Sequence, residues 1–255
     1  MRTRRGGNTV VDAVGSWCPS LGASGPRLAD RSAYRRDATL FASPSYVASE
    51  GKLSLRFNGT TQYATAIRGQ TLDLATDSVT FSFWNQNSSG TTGVYASLAS
   101  STSGTPFLIF QASGTSITLT HRNNAGGDTS AVGGTWQSAS WRLLTGVSTP
   151  SSLTLFVNGV QVATTSRTAG ATSLNQVTLG ALNRAGTINN YAVSSIDDAR
   201  LFPRAFNATQ LRQMFIAGRG FGLIPERQRR RGAVAAAGFK AYWARRQSQL
   251  IGGGL

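Results

Sequence analysis

The sequence is poor in the residues that most metal sites and many enzymes need. It has one cysteine, Cys18, and one histidine, His121, in 255 residues. A single cysteine excludes an intrachain disulfide and a cysteine-based zinc cluster, and a single histidine excludes a histidine metal cluster. A serine triad would have to be built around His121, which follows the predicted strand ITLT and precedes a glycine turn. At that place we expect a surface histidine, or one with satisfied hydrogen bonds, rather than a general base.

Acidic residues are also scarce. There are ten of them against 25 basic residues, and Glu50 and Glu226 are the only glutamates. Glycosidases need two carboxylates facing one cleft, one to protonate the leaving oxygen and one to attack or to activate water. No E-x-D-x-x-E or E-x-D-x-E phrase occurs, and Asp73 and Asp77 fall in a predicted loop. The phrase GRGFG at 218–222 follows a predicted helix instead of opening one after a strand, so it is not a nucleotide loop. We expect no enzyme.

Long apolar runs are missing as well. No run approaches the ~20 residues needed to cross a bilayer. The N-terminal phrase MRTRRGGNTVVDAVG carries charge without a continuous apolar stretch, so no secretory signal is expected. These features favour a soluble protein made in a cytoplasm, with no membrane partner.

The net charge of +15 is concentrated at the two ends of the chain. Residues 1–36 carry +5, residues 37–218 carry +3 and residues 219–255 carry +7. Basic arms on a nearly neutral globule indicate attachment to a polyanionic or acidic partner, because a domain that reads nucleic acid carries its arginines on the folded face. We expect no specific nucleic-acid partner, and a solvated tail is the alternative.

The middle of the chain has the pattern of an all-β sandwich. Strands of five to eight residues alternate with clusters of Gly, Ser, Thr and Asn. In LSLRFNG, Leu55 and Phe57 alternate with polar residues, which predicts one packed and one wet face. The pair Asn158-Gly159 predicts a type I′ hairpin. The apolar residues of NTVVDAVGSW at 8–17 indicate a further strand that pairs with the sandwich.

A short helix is predicted over 208–217, where apolar residues recur at helical spacing. Leu211, Phe215 and Ile216 are expected on its buried side, with Asn207 as the N-cap and Gly218 just past its end. The organisation we expect is therefore a basic N-terminal arm with a strand at 1–20, the sandwich at 21–218 and a basic tail rich in Arg, Ala and Gly at 219–255.

The order of these phrases resembles the laminin-G-like branch of the concanavalin A-like jelly rolls. Its residues are FNGTTQYATA, VTFSFW, LTLFVNG, VTLGALN and IDDARLFPRAFNATQLRQMF, in that order. The resemblance covers about residues 21–218. It implies a two-sheet jelly-roll sandwich with a short C-terminal helix.

The resemblance also implies a calcium site as an alternative to a chain without cofactors. Family members place it between a loop of the type D-x-S-G-x-G-N-x-G and the second Asp of the I-D-D strand. Asp30 and Asp198 fall on these positions, but Arg36 replaces the expected Asn of the loop DRSAYRRDATL. Because a hard cation needs six to eight oxygens, a cationic loop opposes it. Without metal, we expect either an arginine paired with Asp198 or an open loop.

Lectins of this architecture hold sugars in loops, through an aromatic ring and through Asn or Asp side chains. The sequence offers more aromatic and amide candidates than it can rank, and Trp residues beside strands are more typical of core. The candidates for a carbohydrate site are Trp84, Tyr95, Trp136, Asn123, Asn124, Asn189 and Tyr191, with Trp141 and Asn190 beside them.

The two ends of the chain carry a second resemblance. WCPSLGASGPRLADRS and FKAYWARRQSQLIGGGL are similar to the ends of laminin-G-like proteins encoded in the structural gene blocks of tailed bacteriophages. That likeness implies a virion protein: a capsid decoration, head fibre or collar component that contacts capsid, portal or collar proteins and forms homo-oligomers. The tail residues expected to dock are Phe239, Tyr242, Trp243, Arg245, Arg246, Leu250 and Ile251. The alternative function is a carbohydrate-binding adhesin.

Overall fold

The structure is a computed structural model that describes residues 13–19, 25–87, 92–113, 115–135 and 138–219. Tail residues 220–255, with every predicted docking residue, lie outside these ranges, as does Trp136. None of the helices in the described ranges is long and apolar enough to span a membrane.

The described chain folds into β-strands and one helix. The helix is α1 (Ala208–Ala217). The strands are β1 (Gly15–Trp17), β2 (Arg27–Leu28), β3 (Ala38–Phe41), β4 (Ser45–Ser49), β5 (Lys52–Asn58), β6 (Tyr63–Leu72), β7 (Val79–Asn87), β8 (Val94–Ala99), β9 (Phe107–Ser113), β10 (Ser116–Arg122), β11 (Asp128–Thr135), β12 (Ser138–Thr149), β13 (Ser152–Val157), β14 (Val160–Ser166), β15 (Leu174–Leu179), β16 (Leu182–Arg184), β17 (Thr187–Asn189) and β18 (Val193–Phe202).

Two large antiparallel sheets form the sandwich. Sheet 1 has the order β14-β13-β12-β7-β18-β5-β4, with β1 paired to β18. Sheet 2 has the order β11-β10-β9-β8-β15-β6-β3-β2. Strands β16 and β17 form a separate hairpin between β15 and β18 of the sequence. In both sheets some strands pair with partners distant in sequence, such as β7 with β12 and β6 with β15. The fold is the expected two-sheet jelly roll with a short C-terminal helix, and the predicted fold class is confirmed.

The main core lies between the sheets. Phe81 and Phe83 of sheet 1 meet Phe110 of sheet 2 edge to face, with ring centroids 5.8 and 5.0 Å apart. Such contacts add to the free energy gained from burying the rings. Leu55 and Phe57 are also fully buried in this core, which confirms the alternation predicted for β5.

The outer face of sheet 1 is covered by the helix. Trp84, at the centre of β7, stacks on Phe215 of α1 with ring centroids 5.8 Å apart. Asn207 caps the helix as predicted: its side chain accepts from the Gln210 amide, and the Gln210 side chain accepts from the Asn207 amide. The prediction for Ile216 is wrong, because this side chain is 71% exposed and Met214 faces the sheet instead.

Local turn chemistry agrees with the sequence in the hairpin between β13 and β14. Asn158 and Gly159 have φ values of 54° and 74°, which the predicted type I′ turn requires. The Asn158 side chain also accepts a hydrogen bond from the Leu143 amide on the neighbouring β12. The predicted N-terminal strand is described from residue 13 onwards, where β1 pairs with β18.

Candidate functional site

A polar cleft opens where the first residue of β8 lies beside the C-terminal part of β9. Its volume is ≈ 190 Å³, and we call it the amide cleft. It is lined by Thr92, Gly93, Val94, Gln111, Ala112 and Asn190. Gln111 is half-buried and Asn190 is exposed, so both side-chain amides are within reach of a solute.

Backbone hydrogen bonds fix the walls of the amide cleft. The Val94 amide donates to the Asn190 carbonyl over 2.7 Å, and the Ala112 amide donates to the Gly93 carbonyl over 2.9 Å. Asn190 has φ 52°, a left-handed conformation that asparagine tolerates better than most residues. The segment before β18 is therefore hydrogen-bonded directly to the first residue of β8.

Gly93 has no room for a side chain. A Cβ atom at this position would lie 2.3 Å from the Tyr191 carbonyl oxygen and 2.7 Å from the Ala192 Cα. Both contacts are with backbone, which cannot move aside as a flexible side chain could. Glycine at 93 is thus what allows the two segments to meet and the cleft to form.

Aromatic rings lie next to the amide cleft. Tyr191 follows Asn190 and lies 6.3 Å from Tyr63, at the start of β6. Tyr63 in turn stacks on Phe41, with centroids 4.4 Å apart and rings 5° from parallel, and Phe41 is 39% exposed. Burial, and next the neighbouring Tyr191, raise the pKa of Tyr63, so the phenol stays neutral at physiological pH.

The chemistry of the amide cleft suits neutral, hydroxyl-rich ligands. Each side-chain amide offers both donors and acceptors, and none of the lining residues in the described chain is acidic or basic. Sugar hydroxyls also both donate and accept, and a nearby aromatic ring can cover the apolar face of a sugar. The cleft lacks the two carboxylates that glycoside hydrolysis needs.

The structure brings together only part of the predicted sugar site. Asn189 and Tyr191 are the sequence neighbours of the cleft residue Asn190. Gln111 and Gly93 were missed. The signal for Gln111 was a lone amide in the apolar strand FLIFQAS, whereas the role of Gly93 depends on a long-range contact that no local pattern reveals.

Two predicted aromatic candidates are wrong as sugar platforms. Tyr95 is fully buried in the main core, and its hydroxyl oxygen accepts a hydrogen bond from the Asn87 side chain. Trp84 is buried beneath the helix, as described above. A ring with no exposed face cannot stack on a ligand. Trp141, also named beside them, is 8% exposed and is covered by the Arg219 guanidinium at 4.0 Å from its ring.

Asn123 and Asn124 lie in a different loop, between β10 and β11. The Asn123 side-chain oxygen accepts from the Gly127 amide, and the Asn124 amide donates to the Ala171 carbonyl. The Asn124 side chain also accepts from the Ser173 hydroxyl over 3.4 Å. These contacts tie the loop between β10 and β11 to the loop before β15, and both asparagines are away from the amide cleft.

Asp30 and Asp198 are engaged by protein groups. Asp30 accepts from the amides of Ser16, Ser32 and Arg36, so it organises its own loop. Asp198 forms a buried two-point ion pair with Arg200, with N–O distances of 2.5 and 2.7 Å. Within the described ranges no three His, Cys, Asp or Glu side chains converge as a metal site would require. An arginine paired with Asp198 is one of the two arrangements that the sequence predicted for a site without metal.

His121 differs from its prediction. It is 2% exposed, and its Nε2 atom has no hydrogen-bond partner among the described residues. Burial, and next the positive charge of Arg167, lower the pKa of His121 to about 4 against a smaller opposing effect of Asp128. The imidazole is therefore neutral at physiological pH and is neither a surface group nor a fully satisfied one.

Comparison with known proteins agrees with the architecture. Residues 43–212 match a laminin-G-like family model described as the concanavalin A-like lectin/glucanases superfamily. No curated protein sequence matches the chain.

Similar solved structures are binding domains of bacterial toxins. The botulinum neurotoxin serotype G binding domain aligns with a TM-score of 0.64 and 16% identity, over 80% of this chain and 50% of that one. The binding domain of Paraclostridial Mosquitocidal Protein 1 aligns with a TM-score of 0.64 and 12% identity, over 80% of this chain and 52% of that one. The binding domain of botulinum neurotoxin DC in complex with SialylT aligns with a TM-score of 0.61 and 13% identity, over 81% of this chain and 51% of that one.

The chain thus spans about half the length of these toxin domains. At such low identity the likeness establishes the fold alone. The family model covers more than half of the chain, and its match agrees with the sheet order described above. This chain therefore belongs to the concanavalin A-like lectin/glucanases superfamily, in its laminin-G-like branch.

Proposed function

We propose that this chain is a carbohydrate-binding module without catalytic activity, and that the amide cleft holds the glycan. The observation that carries the proposal is that the amide residues Gln111 and Asn190 line one uncharged cleft, next to Tyr191 in the chain. Clefts with a few well-placed polar groups are the usual sites for small ligands.

The positions of the acidic residues support a binding role over hydrolysis. Asp73 accepts amide hydrogen bonds from Ala75 and Thr172, and Asp77 accepts from the Asp73 amide, so this pair stabilises a loop. Asp198 is paired with Arg200. These carboxylates serve local structure, and none of them lines the amide cleft.

The similar structures support the same direction. They are named as binding domains, and one of them was determined in complex with SialylT. Those ligands belong to those proteins. For this chain, the likeness adds that a sandwich of this type can serve as the binding part of a larger assembly.

A glycan array probed with the full chain tests the proposal. We expect binding to a defined subset of glycans, weakened about ten-fold by Gln111→Ala and by Asn190→Gly, because each removes one or two hydrogen bonds. Glycine at 190 keeps the left-handed backbone. Gln161→Ala, an exposed amide on β14, is the matched control and leaves binding unchanged. An array without any bound glycan contradicts the proposal.

Display on a phage virion is the second candidate, and the root of the basic tail favours it. Arg219 opens a segment of eight basic residues and one acidic residue. Its guanidinium covers Trp141, donates to the Ser49 carbonyl over 2.6 Å and lies 3.5 Å from the Glu50 carboxylate, and the Lys52 amine donates to its carbonyl. The sandwich thus holds the start of the tail at the β4–β5 hairpin.

In that case the module would be a decoration, fibre or collar component, anchored through its ends to capsid, portal or collar proteins and presenting the amide cleft outward. Deletion of residues 233–255 is expected to abolish retention on purified particles while glycan binding persists. Full loading of the truncated chain contradicts the anchoring role. Trp141→Leu is the control, because it removes the contact between Trp141 and Arg219 and leaves the charge of the tail unchanged.

A further inference from the structure

A second cleft lies at the opposite end of β6 from Tyr63. Its volume is ≈ 430 Å³, and we call it the arginine cleft. It is lined by Arg68, Gln70, Thr71, Leu72, Asp77, Ser78 and Pro203. Along an extended strand the five residue-to-residue steps from Tyr63 to Arg68 span about 17 Å, so the arginine cleft is separate from the amide cleft.

Arg68 is a charged side chain directed into the sandwich. It shares the inner face of β6 with the buried Ala64 and Ala66, and it is 3% exposed. The pairing of β6 with β15 shifts register between residues 67 and 72, which is where the cleft opens. An inward-facing position of β6 therefore carries a guanidinium, at the place where the cleft opens.

The guanidinium of Arg68 is not satisfied by the protein. Its Nε and Nη1 atoms are buried and have no hydrogen-bond partner among the described residues. Burial, and next the charge of Arg36, lower the pKa of Arg68 to about 10, so it remains cationic at physiological pH. A buried cation with unused donors lowers stability unless an anion completes it.

The surroundings of Arg68 are cationic overall. The Arg36 guanidinium lies on Gly69, where a Cβ atom would be 2.7 Å from its Nη2 atom. Arg36 is held in place by its backbone, since its amide donates to Asp30 and its carbonyl accepts from the Trp17 indole. The loop in which family members carry a calcium site thus brings a second guanidinium near enough to Arg68 to lower its pKa, although Arg36 does not itself line the cleft.

Asp77 is the one acidic residue that lines the arginine cleft in the described chain. Its Oδ2 atom already accepts from the Asp73 amide over 3.0 Å. Arg68 and the nearby Arg36 carry two positive charges against this one carboxylate, so positive charge is in excess around Arg68. The hydroxyls of Thr71 and Ser78 and the amide of Gln70 add neutral donors and acceptors around it.

We propose that the arginine cleft binds the anionic group of an acidic sugar, a carboxylate or a sulfate ester, with Arg68 as its main partner. This inference rests on the proposed glycan-binding function and names a class of ligand for it. The guanidinium fork matches the paired oxygens of both groups, and the surrounding hydroxyls and amide suit the hydroxyls of the same sugar.

Calorimetric titration of the full chain at physiological salt tests the proposal with glucuronate, glucose 6-sulfate and glucose. We expect one or both anionic sugars to bind and glucose to bind far more weakly. Binding of glucuronate without glucose 6-sulfate identifies a carboxylate site, and the reverse identifies a sulfate site. Equal binding of glucose, or no binding of either anion, overturns the proposal.

Arg68→Met is the decisive variant, because it keeps an unbranched apolar stem and removes the charge with its hydrogen-bond donors. It should weaken binding of the anionic sugar about thirty-fold or more. Arg68→Lys keeps the charge without the planar fork and should lose less. Arg56→Met, an exposed arginine on β5 in the other sheet, changes the net charge equally and should leave binding intact. An equal loss in Arg56→Met means unspecific attraction to a basic chain and overturns the proposal.

Thermal unfolding without ligand separates a binding role from a structural one. If Arg68 awaits a ligand, Arg68→Met unfolds at the same or a higher temperature, since an unpaired buried charge is gone. If Arg68 serves the fold, through Asp77 for example, the variant unfolds at a lower temperature, which contradicts the proposal. The glycan array separates the two proposals. Neutral glycans bound on the array, together with no binding of either sugar anion, contradict only this inference, whereas sugar anions bound without any neutral glycan on the array contradict only the amide cleft.

Discussion

The two ends of strand β6 present different chemistry, although one strand contributes to both. At its first residue, Tyr63 lies beside Tyr191 and the neutral amide cleft. At its other end, Arg68 carries a buried charge into the arginine cleft. Between them, Ala64 and Ala66 are simply part of the core. The middle of the strand thus serves the stability of the sandwich, while the residues that meet near each end set the charge and polarity of each cleft.

The largest effect is expected from a substitution that disrupts the amide cleft and leaves the arginine cleft intact. Gly93→Ala would place a Cβ atom 2.3 Å from the Tyr191 carbonyl oxygen. We expect a loss of about 3 kcal/mol in the free energy of unfolding, together with loss of glycan binding, because the backbone segments must separate. Denaturant unfolding and glycan binding measure these effects.

Gly104→Ala is the control for this variant, since a Cβ atom there meets nothing within 4 Å. It should change the free energy of unfolding by less than about 0.5 kcal/mol. Anionic sugar binding should survive in a folded fraction of Gly93→Ala. Unchanged stability in Gly93→Ala would show that the two segments do not meet as described.

The second prediction contrasts two buried basic side chains that respond differently to burial. Arg68 keeps its proton at neutral pH, whereas the pKa of His121 falls to about 4. As the pH falls below 6.5, His121 therefore takes up a proton in the unfolded chain, whereas in the folded chain it stays neutral until the pH approaches 4. The stability due to neutral His121 is therefore complete above pH 6.5 and is lost as the pH falls towards 4, by up to about 3 kcal/mol.

Unfolding free energies measured between pH 7 and pH 4 test this window, with His121→Leu as the comparison. The variant should lose much of the slope. The lowered pKa of Asp128, caused first by its hydrogen bond from Arg122, acts below the ordinary carboxyl value of 3.8 and so does not mimic the effect. Identical slopes in both proteins would mean that His121 is solvated or charged in the folded state.

The smallest expected effect lies away from both clefts. Asn207→Ala removes the side-chain cap of α1 and should cost about 1 kcal/mol. Because the helix covers the outer face of sheet 1, both glycan and anion affinities should stay unchanged. Chemical denaturation gives the stability, and the two binding assays give the affinities. A change in either affinity would mean that the clefts are coupled to the helix.

Features set by neighbouring residues could be predicted from the sequence. The capping box at Asn207, the left-handed turn at Asn158 and Gly159, and the buried alternation of β5 each depend on a few consecutive residues. The order of strand phrases also predicted the fold, because it resembles that of a known family.

Features set by contacts between distant segments could not be predicted. Trp84 has strand neighbours in the sequence, but the helix from 208 onwards decides that its ring is covered. Whether a glycine such as Gly93 touches residue 191, or a basic residue such as Arg68 enters a cleft without a partner, depends on register across the sheets. The residues that we propose for binding are of this second kind, which is why the sequence named only Asn189, Asn190 and Tyr191 near the amide cleft.

The most direct test of the account follows the side-chain amide resonances of Gln111 and Asn190 by NMR during titration with the glycan that the array identifies. We predict that both pairs of amide signals shift in a saturable way with the same dissociation constant, while the side-chain amide of Gln161 does not. Saturable binding that leaves the Gln111 and Asn190 signals unmoved would contradict the claim that the amide cleft is the glycan site.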